Sequence, residues 1–121
     1  MPINTSDYLV MKFGGTSVAN INLIESAANR VQKEVHAGYQ VIVVVSAMAG
    51  RTNELVNWTR DTSSLYDARE YDAIVSSGEN ITAGLMALRL QSMKINARSW
   101  QGWQVPVKTS SDHSSARIEE I

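Results

Sequence analysis

The sequence predicts an α/β fold with a parallel sheet, and three observations carry that expectation. Two short apolar runs, Tyr8–Phe13 and Gln40–Val45, have the length and β-branched content of strands. Each gives way to a turn of small residues, Gly14-Gly15-Thr16-Ser17 after the first and Ser46-Ala47-Met48-Ala49-Gly50 after the second. A helical repeat follows each turn, and strand–loop–helix repeated in this order is the pattern of a parallel sheet with crossover helices. Right-handed crossovers bring both loops to one edge of the sheet, where ligands bind in such folds. Loops 14–17 and 46–50 are therefore expected side by side.

The first strand reads as short and mostly buried. Ile21, Ile24, Ala28, Val31 and Val35 then recur at spacings of three and four, one face of a helix. Gly38 is placed to end that helix in a left-handed conformation. The second strand is continuously apolar, as an interior parallel strand would be. A short helix is expected over 52–60, with Leu55, Val56 and Trp58 inward and Thr52 as its cap. A second is expected over 66–75, after the polar break Asp61-Thr62-Ser63-Ser64. Ser76-Ser77-Gly78-Glu79 reads as a polar junction before a third, which carries Ile81, Leu85 and Leu88 on one face and runs to about Gln91. Residues 95–103 are expected to be extended, with Trp100 and Trp103 packing on an edge strand, and 105–109 to form another strand. The segment Ser110-Ser111-Asp112-His113-Ser114-Ser115 is a polar loop.

Composition narrows the function. At 121 residues the chain is one domain. Eleven Lys+Arg against twelve Asp+Glu give a net charge of −1, which argues against a nucleic-acid or acidic-membrane partner. With no cysteine, a disulfide framework, a thiolate zinc site and a cysteine nucleophile are all excluded. The longest aliphatic run, Val41-Ile42-Val43-Val44-Val45, is far too short to span a membrane. The polar start Met1-Pro2-Ile3-Asn4-Thr5-Ser6-Asp7 lacks the pattern of a secretory leader, so a cytoplasmic protein is expected. His36 and His113 have no carboxylate at ligand spacing, and no metal-ligand set is expected. His36 sits instead near a helix C-terminus, which favours positive charge.

Three motifs carry chemistry. In Lys12-Phe13-Gly14-Gly15-Thr16-Ser17-Val18, two glycines at a strand-to-helix change let backbone approach a ligand and take up φ > 0. N–H groups and a positive helix end there favour phosphate, and Lys12 adds a full charge. The order matches neither a P-loop, whose lysine follows the glycines, nor the G-x-G-x-x-G dinucleotide fingerprint. The structural alternative is a tight turn with Thr16 or Ser17 as helix cap. In Ser46-Ala47-Met48-Ala49-Gly50-Arg51-Thr52-Asn53-Glu54, small side chains leave room for a ligand, although a plain turn explains the same residues. Ser76 and Glu79 have the spacing of a capping box; alternatively the Glu79 carboxylate lies in the cleft and pairs with a substrate ammonium.

Taken together, the segments Lys12 to Val18, Val43 to Thr52 and Val75 to Glu79 resemble the aspartate kinases of the amino acid kinase family. Ala97-Arg98-Ser99-Trp100-Gln101-Gly102-Trp103-Gln104 is similar as well, so the likeness runs along nearly the whole chain. It implies an αβα sandwich around a mainly parallel sheet, incomplete at the C-terminal side. Residues 1–121 would be the N-terminal part of the kinase domain, with the regulatory domains absent from this chain. It further implies transfer of the γ-phosphoryl group of ATP to the β-carboxylate of L-aspartate, with Mg²⁺, in a homo-oligomeric enzyme. Lys12, Phe13, Gly14, Gly15 and Ser46 would meet ATP, with Lys12 catalytic. Gly50, Arg51, Thr52, Asn53 and Glu54 would form a substrate-side loop, and Glu79 would hold the aspartate ammonium. Asn80 departs from the family, where Gln is more usual. Two other readings stay open: a sibling kinase with another acceptor, and a non-catalytic interaction module.

Overall fold

The computed structural model describes residues 7–121. The polar start from which no leader was expected lies, but for Asp7, outside them. Strand β1 (Tyr8–Phe13) leads through a single 3₁₀ turn (Gly15–Val18) to helix α1 (Ile21–His36). Strand β2 (Gln40–Val45) returns parallel to β1, with Tyr8 opposite Gln40 and Phe13 opposite Val45. Helices α2 (Arg51–Thr62) and α3 (Ala68–Ser92) follow. A second 3₁₀ turn (Gly102–Gln104) and a small antiparallel pair, β3 (Lys108–Thr109) and β4 (Ile118–Glu120), complete the chain. Among the described residues no helix is long and apolar enough to cross a membrane.

The two strands alternate in burial, so neither is buried on both faces. One face, with Met11, Phe13, Val41, Val43 and Val45, packs against Ile24, Ala28 and Val31 of α1 and Met86 and Leu90 of α3. The other face leaves Tyr8, Val10, Ile42 and Val44 exposed. The parallel pairing is as expected, but the expectation of mostly buried strands is corrected. The described residues build one helical layer and the sheet, and no second helical layer covers the far face.

Gly38 adopts φ 105° just after α1, as expected, and His36 is the last residue of that helix. The cap of α1 is Asn20, whose side chain accepts from the Leu23 N–H at 2.9 Å, rather than Thr16 or Ser17. The 3₁₀ turn separates the glycines from the helix start. In α2, Leu55 is inward, but Trp58 is exposed and Thr59 is buried in its place. Thr59 satisfies its hydroxyl on the Leu55 carbonyl, so its methyl can face the interior. The cap of α2 is Gly50, not Thr52.

The largest correction concerns α3. The expected pair of helices with a junction at 76–79 is one continuous helix of 25 residues. Asp67 caps it, accepting from the Arg69 and Glu70 N–H groups. Ser76 and Ser77 turn their hydroxyls back onto the Ala73 and Ile74 carbonyls, at 3.4 and 2.6 Å, and so sit inside a helix without breaking it. The Ser76–Glu79 capping box does not form, because both residues lie mid-helix. The inward face is Gly78, Thr82, Met86 and Leu90, while Ile81 and Leu88 face outward. Residues 95–101 are irregular rather than a strand, Trp100 and Trp103 are exposed, and only Lys108–Thr109 of the expected 105–109 strand pairs.

Candidate functional site

The C-terminal ends of β1 and β2 release their loops at the same sheet edge, and backbone hydrogen bonds lock the loops together. The Ser46 N–H donates to the Phe13 carbonyl at 3.2 Å, and the Ala49 N–H donates to the Gly15 carbonyl at 3.2 Å. The side-by-side placement of loops 14–17 and 46–50 is therefore observed.

Small residues make this contact possible. A Cβ on Gly15 would lie 2.9 Å from the Ala47 carbonyl oxygen. On the opposite side of Ala47, a Cβ on Gly78 would lie 3.0 Å from the Ala47 Cβ, and 3.6 Å from Cγ of Arg51. Ala47 is thus held between the first loop and α3, and the sequence-distant motifs at 12–18, 46–54 and 76–79 meet around one buried alanine. Glu79, the residue after Gly78, is exposed on α3. Gly14 differs from Gly15: a Cβ there would meet nothing within 4 Å, so the space above it is open.

Neither glycine of the first motif has positive φ; Gly14 is at −72°. The expectation that both serve φ > 0 is corrected: Gly15 serves a close backbone approach, and Gly14 leaves open space. Positive φ occurs at Gly50 instead (82°), where the 46–50 loop turns into α2.

Lys12 is exposed on the bare face of the sheet, one residue before the end of β1. Phe13 is buried in the core with Arg30 over its ring at 6.0 Å, so only its backbone belongs to the loop. Ser46 is half-buried, and Thr52 and Asn53 are exposed in the first turn of α2. No side chain caps that helix, and its first N–H, that of Arg51, donates to the Met48 carbonyl at 2.9 Å. Arg51 and Glu54 form an ion pair with each other at 3.0 Å in the first turn of α2. Among the described residues no group of three His, Asp or Glu side chains is placed to hold a metal ion.

A second polar cluster was not legible in the sequence. Asp72 of α3 accepts from the Ser114 N–H at 2.9 Å and the Ser114 hydroxyl at 3.1 Å, with His113 Nδ1 at 3.3 Å. It fastens the tip of the β3–β4 hairpin to α3. The partners are 42 residues apart, and no spacing rule links them.

The described residues thus form an α/β unit in which a parallel pair of strands releases both following loops at one edge, with Lys12 near the end of β1 beside a glycine turn. The profile of the Amino acid kinase family matches residues 7–121, and the chain belongs to that family. It is 49% identical over 116 residues to an aspartokinase of Rickettsia felis and 42% identical over 113 residues to aspartokinase 2 of Bacillus subtilis. Each alignment covers 93% of this chain but 29% and 28% of the relative. The chain thus spans less than a third of the length of these relatives. Among solved structures, the aspartate kinase from Synechocystis superposes with a TM-score of 0.69 at 38% identity, covering 73% of this chain and 15% of that one.

Proposed function

We propose that this chain supplies the phosphate-binding and acceptor-binding half of an aspartate kinase, which moves the γ-phosphoryl group of ATP to the β-carboxylate of L-aspartate. The observation that carries this reading is the meeting of three motifs around Ala47 at the ligand-binding edge of the sheet. Similarity to aspartokinases at 42–49% identity supports the choice of acceptor. In this reading residues 7–121 are the N-terminal part of the kinase domain, and the regulatory domains lie outside the chain. The partners are small molecules and not nucleic acid, the setting is cytoplasmic, and the enzyme is a homo-oligomer.

The chemistry asks little of acid–base groups. The nucleophile is a carboxylate with a pKa near ~4, already ionised at neutral pH, so no general base is needed. The barrier is the approach of two anions and the charge spread over the transferring group. Lys12 meets that charge, and the open backbone at Gly14 and Gly15 admits the phosphates. Ser46 lies on the nucleotide side. Gly50, Thr52 and Asn53 present the first turn of α2 to the acceptor, with the Thr52 and Asn53 N–H groups suited to a carboxylate. Arg51 and Glu54 hold that turn through their ion pair. Glu79 receives the aspartate ammonium. Mg²⁺ supplies further charge neutralisation as the partner of the ATP phosphates, the usual mode for this ion.

The test is ADP release, coupled to trapping of the acyl phosphate as its hydroxamate. It uses the full-length protein that carries this chain, with L-aspartate and with L-glutamate. Turnover with aspartate at least tenfold above glutamate is expected. Equal turnover, or none with either, overturns the reading in favour of another acceptor or a non-catalytic module.

A further inference from the structure

After α3 the chain turns back along that helix. Gln91 Nε2 donates to the Ala97 carbonyl at 2.9 Å, and Arg98 and Ser99 share a cleft with Asn80, Leu88 and Gln91 of α3. The next tie is at Asp72, which accepts from the Ser114 N–H at 2.9 Å and the Ser114 hydroxyl at 3.1 Å, with His113 Nδ1 at 3.3 Å. Among the described residues no other hydrogen bond or ion pair joins residues 100–121 to α3. The hairpin tip needs holding. Ser114 has φ 64°, the left-handed region that side chains disfavour. A residue keeps such a conformation where its surroundings fix it, and Asp72 takes both of its donors.

Asp72 stands seven residues before Glu79. Seven residues of helix rise about 10.5 Å and bring the second position to within roughly 20° of the first. The two residues therefore share one face of α3, and Glu79 falls on the stretch spanned by the ties at Asp72 and at the cleft. Glu79 itself is exposed on α3. An ammonium paired with an exposed carboxylate gains little, because water and salt screen the pair. The same pair gains far more where protein walls lower the local dielectric. An ammonium anchor at Glu79 therefore needs a wall.

We propose that Asp72 is a positioning residue of the acceptor site: by pinning Ser114 it holds residues 99–114 along α3 as the wall beside Glu79. Asp72 does not touch the acceptor and acts through the segment it fastens. The proposal rests on Glu79 as the ammonium anchor.

The test is steady-state kinetics of the full-length protein that carries this chain, with L-aspartate and ATP each varied. Asp72→Ala is expected to raise the aspartate KM about tenfold, the order of one hydrogen bond to a charged group, with the ATP KM unchanged. Asp72→Asn keeps an oxygen for the Ser114 N–H and should return the aspartate KM to within about threefold of the parent. Asp72→Ala combined with Glu79→Ala should raise it no further than Glu79→Ala alone, because the wall then has no pair to shield. Circular dichroism verifies that each variant is folded. An unchanged aspartate KM in Asp72→Ala overturns the proposal. So does a parallel rise of both KM values, the mark of general loosening, or a double variant whose loss is the product of the two single losses. Glu79→Ala tells the two failures apart. If it leaves the aspartate KM unchanged, the reading of Glu79 falls and the proposal with it; if it raises the aspartate KM and Asp72→Ala does not, the proposal alone falls.

Discussion

Gly14 and Gly15 are adjacent and chemically identical, yet the structure gives them opposite tasks. A methyl at Gly15 meets the Ala47 carbonyl at 2.9 Å, so backbone has to move. Gly15→Ala is expected to destabilise the chain by about 1–3 kcal/mol, the usual cost of overpacking, read as a lower melting temperature. Gly14→Ala has room and an ordinary φ of −72°, so its melting temperature should stay near that of the parent. In the proposed function the same methyl stands where the phosphates approach, and its effect should appear as weaker ATP binding, measured by calorimetry. Equal melting temperatures for the two variants would contradict the contact with Ala47. At Gly50, φ of 82° is the left-handed region that side chains disfavour. Gly50→Ala is expected to cost about 1 kcal/mol in denaturant unfolding.

At the scale of elements, the sequence was clearest where one physical signal acted alone. The apolar runs at 8–13 and 40–45 had no competing pattern, and the strands formed there in register. The shared loop edge followed from the handedness of crossovers. The long helix α3 was not legible, because Ser76-Ser77-Gly78 carries local signals for a break. What overrides them is tertiary: the serine hydroxyls bond back to the helix, and Gly78 fits against Ala47, a residue 31 positions earlier. Ile81 and Leu88 turn outward, and periodicity shows that an apolar stripe exists but not whether that stripe meets the core. The hairpin latch on Asp72 had no sequence signal at all. The Ser114 N–H bond holds the Asp72 carboxyl below its ordinary value of 3.8; desolvation opposes it, and the Ser114 hydroxyl and His113 add to the lowering. A depressed carboxyl contributes stability that is present above pH 4 and is lost as pH falls through the lowered value. Hydrogen exchange of residues 108–120 is therefore expected to be protected at pH 7 and to lose that protection below pH 4. In Asp72→Ala the protection should already be absent at pH 7.

For the molecule as a whole, the proposed function assigns the two sides of one reaction to two distances along the chain. The lysine and glycine turn lies at the end of the first strand. The carboxylate on α3 lies more than sixty residues later, and Ala47 stands between them. This division predicts separable losses in the full-length protein. Removing Lys12 takes away charge that matters most when the phosphoryl group is in flight, a loss on the order of 10²–10³ in kcat. Removing Glu79 takes away an anchor for the aspartate ammonium, so KM for aspartate should rise tenfold or more with KM for ATP little changed. The most direct measurement is a steady-state comparison of Lys12→Ala and Glu79→Ala with the parent, with aspartate and ATP each varied. The account predicts that Lys12→Ala falls mainly in kcat and Glu79→Ala mainly in aspartate KM. Near-normal turnover in Lys12→Ala, or an unchanged aspartate KM in Glu79→Ala, would contradict it.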